Sequence, residues 1–145
     1  MIRSGTKFDR YTLLEVVSEH EPRVKGEFEV QLWLGQDEIL DRNVAVRLLR
    51  TEDRRVPKVL GAAQAAAMVD DRRLLRVLDI LDIRNTLEHP AYTAIISEWC
   101  MGTPLHEALM DAGTSAFDAE FSLDSVSNLD WALNACLTFN LEHGR

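Results

Sequence analysis

The sequence predicts an α+β domain: a five-stranded antiparallel sheet with one helix packed against it, followed by a short connector and further helices. Two runs with alternating apolar and polar residues, 28–34 and 43–49, predict neighbouring strands because only a short polar turn separates them. Helical spacing of apolar residues after Pro57 predicts the helix. Short connections between sequential strands favour antiparallel pairing.

The first part of the chain contains three predicted strands, over residues 11–17, 28–34 and 43–49. Residues 1–10 are polar and are predicted to form a flexible N-terminus. Residues 18–27 carry Pro22 and Gly26, which are typical of a loop. The second part begins with the helix, where Pro57 fits the first turn because an N–H donor is not needed there.

Small residues in GAAQAAAM should let this helix lie close to the sheet, and the polar stretch 70–73 should end it. A strand is predicted over residues 92–98, and another over 74–83, where the leucines leave a helix as the alternative. A connector at 99–103 and a short helix at 104–110 follow. A final helix is then predicted from an apolar stripe: Val126, Leu129, Leu133, Leu137 and Leu141.

The composition is typical of one globular domain, with 145 residues, 46% hydrophobic and 28% charged. The net charge of −8 argues against nucleic acid and anionic lipid as partners. There is neither a membrane-length apolar run nor the apolar centre of a signal peptide, which predicts the cytoplasm. Cys100 and Cys136 are predicted to be buried thiols, with a disulfide or a metal site as alternatives. The four histidines lack metal-ligand spacing.

The order of elements resembles the N-terminal lobe of the protein kinase fold. Residues 32–50 are similar to the bacterial Ser/Thr kinase pattern V-Y-x-A-x-D-x-x-L-D-R-x-V-A-V-K-x-L: they read LWLGQDEILDRNVAVRLLR. A second segment, AIISEWCMGTPLHEAL, resembles the fifth strand, hinge and next short helix of that family. The resemblance runs from about Phe8 to Glu142. It implies three regions: a flexible N-terminus at 1–10, a kinase-like lobe at 11–99, and a hinge with a partial helical lobe at 100–145.

Three departures from the family pattern affect phosphate binding. A kinase's glycine-rich loop brings backbone N–H groups close to the ATP phosphates, but here only Gly26 remains among several glutamates. The phosphate-holding lysine is replaced by Arg47, whose planar guanidinium is not equivalent to a compact ammonium. The glutamate that should pair with that lysine aligns with Ala62, and Gln64 is the nearest polar alternative.

The catalytic loop and the Asp-Phe-Gly segment of the family should follow the last helix, where the sequence reads His143-Gly144-Arg145. The resemblance therefore implies a pseudokinase without a catalytic base or magnesium ligands, and binding of ATP with magnesium is not expected. Six residues align with the family's nucleotide pocket: Leu32, Ala45, Arg47, Ser97, Glu98 and Cys100. From the residues alone, Leu32 and Ala45 fit ordinary core positions, and Arg47 should form a structural salt bridge or extend to the surface.

Among pseudokinases, the sequence resembles the module attached to some bacterial MviN-type lipid II flippases. That resemblance implies a cytoplasmic regulatory module, tethered to the membrane by a parent or partner protein. It would bind a phosphothreonine-reading FHA protein in the control of cell-wall synthesis, and Thr114 is the best candidate phosphosite. The alternative is a truncated or divergent Ser/Thr kinase that retains weak nucleotide binding. The apolar stripe of the last helix also predicts a tendency to form homo-oligomers.

Overall fold

The computed structural model describes residues 1–20 and 28–102. It contains one helix, α1 (Val56–Ala67), and six strands. The strands are β1 (Lys7–Phe8), β2 (Tyr11–His20), β3 (Val30–Asp37), β4 (Arg42–Arg50), β5 (Val77–Ile83) and β6 (Tyr92–Glu98). They form one sheet in the order β1-β2-β3-β4-β6-β5, and every neighbouring pair is antiparallel.

The predicted fold class is wrong. The described part is mostly β, with 45% of its residues in strands, and the sheet curls into a six-stranded half-barrel rather than a five-stranded α+β sheet. The additional strand is β1, which lies in the N-terminal segment predicted to be flexible. Its residues Lys7 and Phe8 pair with Thr12 and Tyr11 of β2. Ile2 is also buried. The helices predicted after residue 103 lie outside the described residues.

One face of the sheet, named here the closed face, carries the main core. Its fully buried side chains include Leu13, Val44, Val46, Leu48 and Ile96. Trp33 is also buried there, and its indole N–H donates a hydrogen bond to Gln31 Oε1 at 3.0 Å. Buried polar groups are stable when they are hydrogen-bonded, so this pair is compatible with the surrounding apolar core.

The opposite face, named here the open face, is only partly covered by α1. The helix buries Val56 and Ala63 against Leu49 of β4 and Ile95 of β6. Pro57 lies in the first turn, as predicted, and small residues line the helix. The remainder of this face, towards the ends of β4 and β6 that carry Ala45 and Ser97, borders a cavity.

A buried carboxylate fixes the β3–β4 hairpin. Asp37 is 1% exposed and accepts two hydrogen bonds from the Arg10 guanidinium, at 2.9 and 2.7 Å. It also accepts the backbone N–H groups of Ile39 and Leu40. The Arg10 hydrogen bond is the largest cause that lowers the pKa of Asp37 below 3.8. The hairpin therefore holds β3 and β4 in register beside the cavity.

Among the described residues, α1 has 12 residues and is too short to cross a bilayer.

Candidate functional site

The open face contains a cavity of about 630 Å³ between the sheet, α1 and the segment after β6. Its lining includes all six residues that the resemblance aligned with a nucleotide pocket: Leu32, Ala45, Arg47, Ser97, Glu98 and Cys100. These residues come from β3, β4, β6 and the chain just beyond β6. Thr114, the seventh predicted site residue, lies outside the described residues.

Strand register explains how four of these residues come together. Side chains on alternate residues of a strand point to the same face, so Ala45 and Arg47 of β4 share the open face. Arg47 pairs with Leu32 on β3 and with Ile95 on β6, which gives it apolar neighbours on both sides. Ala45 pairs in the same way with Ser97. The floor of the cavity is therefore a row of strand residues around one cation.

The Arg47 side chain is exposed, and within residues 1–20 and 28–102 it has neither an ion pair nor a hydrogen bond. The predicted structural salt bridge is therefore absent from this part of the chain. The alternative expectation, extension of the long side chain towards solvent, agrees with its exposure. A guanidinium without a partner can form two parallel hydrogen bonds to an incoming carboxylate or phosphate.

The helical wall of the cavity carries no charge that could pair with Arg47. Ala62, Ala63 and Ala66 line the cavity, and α1 contains no acidic residue along its length. Ala62 is the position that the family resemblance aligned with the paired glutamate. Gln64, the nearest polar alternative, is exposed and is not part of the lining.

Glu98 is the only acidic residue in the lining formed by the described residues, and its carboxylate is already bound. Its Oε1 accepts the backbone N–H of Arg76 at 2.8 Å, while its own N–H donates to the Arg76 carbonyl at 3.0 Å. These bonds tie the end of β6 to the residue before β5. Glu98 therefore shapes the cavity wall, and its hydrogen bond runs to the Arg76 backbone rather than to Arg47.

The prediction of a buried thiol is wrong for Cys100, which is exposed, and Cys136 lies outside the described residues. Cys100 follows Trp99, which is half-buried and also lines the cavity. The next residue, Met101, is 87% exposed. In the segment after β6, the Trp99 side chain therefore lines the cavity, whereas the Met101 side chain is exposed to solvent.

The sequence interpretation missed several apolar residues of the lining. They are Val17 on β2, Val59 on α1, and Leu75 and Val77 near the start of β5. Val17 lies in a register shift between Val16 and Ser18, which breaks the simple alternation of β2. The position of such a bulge is not visible in the apolar pattern, so no sequence signal identified Val17.

The glutamates that surround Gly26 in the sequence are Glu19, Glu21, Glu27 and Glu29, and of these Glu19 lies exposed on β2. Glu21 and Glu27 lie outside the described residues. Glu29 lies 3.8 Å from the Arg50 guanidinium and accepts a hydrogen bond from the Tyr92 hydroxyl, so it has a structural role at the end of the sheet. Across residues 1–20 and 28–102, no three His, Cys, Asp or Glu side chains are grouped to hold a metal.

The described lining has a chemistry that suits an apolar ligand. The described lining is largely aliphatic and carries one free cation, which can hold an apolar molecule and orient one anionic group. A scan against models of protein families finds no match, and a search of curated proteins finds no similar sequence. The kinase-like resemblance therefore depends on the quoted motifs alone.

Proposed function

We propose that the protein is a pseudokinase-like regulatory module that binds a protein partner and does not transfer phosphate. The proposal combines the sequence resemblance with the chemistry of the cavity. The observation that carries it is the environment of Arg47. By the sequence resemblance, Arg47 aligns with the phosphate-holding lysine, and the helical wall beside it carries alanines rather than a carboxylate that could orient this cation.

The small number of positive charges in the described cavity lining supports the proposal that the protein does not bind ATP. A kinase neutralises the phosphates with a lysine, backbone N–H groups and metal ions acting together. In the described lining, Arg47 is the only cation, and the Glu98 carboxylate accepts a backbone hydrogen bond. One guanidinium can bind one anionic group well, but it cannot balance the several charges of a triphosphate.

Thermal unfolding with increasing concentrations of Mg-ATP tests this proposal. A ligand present at about 100 times its Kd stabilises a protein by about 2.7 kcal/mol, which is a readily measured rise in melting temperature. We expect no rise with ATP or ADP, with or without magnesium. We also expect no transfer of labelled γ-phosphate to the protein or to a general acceptor protein.

A concentration-dependent rise in melting temperature that needs magnesium and disappears in Arg47→Met would contradict the proposal. Arg54→Met is the matched control, because Arg54 is also an exposed arginine but lies outside the cavity lining. A rise that persists in Arg47→Met and is lost in Arg54→Met would indicate ATP binding elsewhere on the surface. It would then give no support to a kinase-like pocket.

One observation favours the alternative, a divergent Ser/Thr kinase with weak nucleotide binding. The cavity volume of about 630 Å³ falls within the range of about 300–1,000 Å³ that is typical of small-molecule sites. Adenosine alone tests this candidate, because it can use the apolar lining without needing phosphate contacts. Binding of adenosine without phosphate transfer would show a retained base pocket on an inactive module.

The finer parts of the proposal concern its partner and location. We propose that the partner is a phosphothreonine-reading FHA protein in cell-wall control and that Thr114 is the phosphosite. The module would act in the cytoplasm beside the membrane, held there by a parent or partner protein. Phosphorylated and unphosphorylated protein should differ in binding to an FHA domain by calorimetry, and Thr114→Ala should remove that difference. Equal binding by both forms would contradict this part.

A further inference from the structure

The cavity has a more specific chemical preference than a general apolar site. Its aliphatic lining includes Leu32, Val59, Leu75, Val77 and Ile95, from three strands, the helix and the connection after it. Surfaces of this kind favour a ligand that removes apolar area from water. A polar or heavily charged molecule would lose its hydration there and gain few compensating hydrogen bonds.

The described lining carries two charged side chains, Arg47 and Glu98, and only Arg47 can attract an anionic group. Arg47 is exposed and has no partner among the described residues, whereas Glu98 is tied to the Arg76 backbone. Leu32 and Ile95 flank Arg47 across the neighbouring strands. A carboxylate that approaches over these side chains would meet the planar guanidinium and accept two hydrogen bonds from it.

We propose that this cavity binds a small apolar molecule with one carboxylate, and that Arg47 holds that carboxylate while the aliphatic lining holds the apolar body. The shared chemistry is a monocarboxylate on a fatty or aromatic body. The inference rests on the proposed function in one respect: occupancy of the former nucleotide pocket would regulate the module in place of ATP. Binding itself depends only on the cavity and on Arg47.

Calorimetric titration of the full chain with octanoate and with 2-naphthoate tests the two kinds of apolar body. We expect saturable binding of at least one of them, with the amide signals of Ala45, Ser97 and Cys100 shifting in NMR spectra during the titration. Octanol and octylamine are the neutral and cationic controls. Each should bind at least about tenfold more weakly, because neither accepts a charge-assisted hydrogen bond from Arg47.

Two pairs of variants separate charge from shape. Arg47→Met should weaken binding of the carboxylate by about 10- to 100-fold and leave octanol binding unchanged, whereas Arg54→Met should change neither. Ala62→Leu should reduce binding of every ligand by filling the cavity. Ala67→Leu is its control, because Ala67 is an exposed alanine on the same helix outside the lining. Arg47 and Ala62 line the cavity, whereas the control positions Arg54 and Ala67 do not. All four residues are exposed, so each variant should retain the fold.

The outcomes distinguish this inference from the proposed function. Absence of carboxylate binding, equal affinity for octanoate and octanol, or unchanged binding in Arg47→Met would each overturn the inference while leaving an ATP-silent module intact. Magnesium-dependent ATP binding through Arg47 would overturn the proposed function, whatever the carboxylates do. Carboxylate binding through Arg47 with no response to Mg-ATP would support both.

Discussion

The two faces of the β3–β4–β6 sheet differ sharply although the same strands form them. On the closed face, Val44, Val46 and Leu48 of β4 are almost completely buried. On the open face, α1 covers Leu49 of the same strand, but the residues that border the cavity are the half-buried Ala45 and the exposed Arg47. One strand therefore supplies both a packed core and a cavity wall, which separates the residues that stabilise the fold from those available for binding.

Leu48→Ala should have the largest effect of the changes considered. The Leu48 side chain is fully buried, so truncation removes apolar contacts and leaves a void. Such substitutions cost about 2–5 kcal/mol of unfolding free energy. Denaturant unfolding measures the change. Its neighbour supplies the control: Arg47→Met should alter the unfolding free energy by no more than about 0.5 kcal/mol. Comparable losses of unfolding free energy in Leu48→Ala and Arg47→Met would contradict the assignment of stability to the closed face and binding to the open face.

Gly35→Ala should be the next most damaging change, because Gly35 lies where β3 passes close to the core. A Cβ atom there would lie 2.8 Å from Val46 Cγ2 and 3.3 Å from the Thr12 carbonyl oxygen. Overpacking of this kind typically costs about 1–3 kcal/mol. A stability within experimental error of the wild type, measured by the same denaturant titration, would mean that the closed face is less tightly packed than described.

Tyr11→Phe should have a moderate effect that depends on pH. The Tyr11 hydroxyl donates to Asp79 Oδ2 at 3.1 Å, and a hydrogen bond of this type contributes about 1 kcal/mol. Burial, followed by the bond to Asp79, raises the pKa of Tyr11 from 10.0 to about 12. The folded state thus keeps this proton longer than the unfolded state does. Its contribution is complete below pH 10 and is lost as pH rises towards about 12.

Alkaline unfolding of the wild type and Tyr11→Phe provides the measurement for this prediction. The stability difference between the two proteins should be constant at neutral pH and should shrink above pH 10, the ordinary value for tyrosine. A difference that grows with rising pH would have the opposite sign to that expected from a raised pKa.

Gly61→Ala should produce the smallest shift, and it should be stabilising. Gly61 lies within α1, and a Cβ atom there would meet no other atom within 4 Å. Alanine in place of glycine inside a helix typically gains about 0.5–1 kcal/mol. Opposite signs of the change in unfolding free energy for Gly35→Ala and Gly61→Ala would confirm that an added Cβ atom clashes at Gly35 and is accommodated at Gly61. A loss for Gly61→Ala would contradict that contrast.

Much of the local structure was predictable because β4, β6 and α1 have strong local signals. The predicted strands 43–49 and 92–98 correspond to β4 (Arg42–Arg50) and β6 (Tyr92–Glu98), so both predictions are confirmed. The predicted strands 11–17 and 74–83 overlap β2 and β5, although β2 extends through His20 into the predicted loop. Alternation and β-branched residues identify such strands before any tertiary contact is known.

The errors have physical causes that the pattern does not contain. The two-residue strand β1 is too short for alternation, and its pairing depends on the N-terminal segment returning along β2. On β3, the polar–apolar alternation did not reveal that Gln31 and Trp33 face the main core, where they bond to each other. The aligned pocket residues came together because register places them, whereas Val17 was missed because a bulge moves it.

The central proposal is that this module does not bind ATP, although one cation, Arg47, is in the described lining of its cavity. Equilibrium dialysis of labelled ATP against the 145-residue protein, with and without magnesium, tests it most directly. The account predicts no retention of label by the wild type in either buffer. Retention that requires magnesium, persists in Arg54→Met and is lost in Arg47→Met would contradict it.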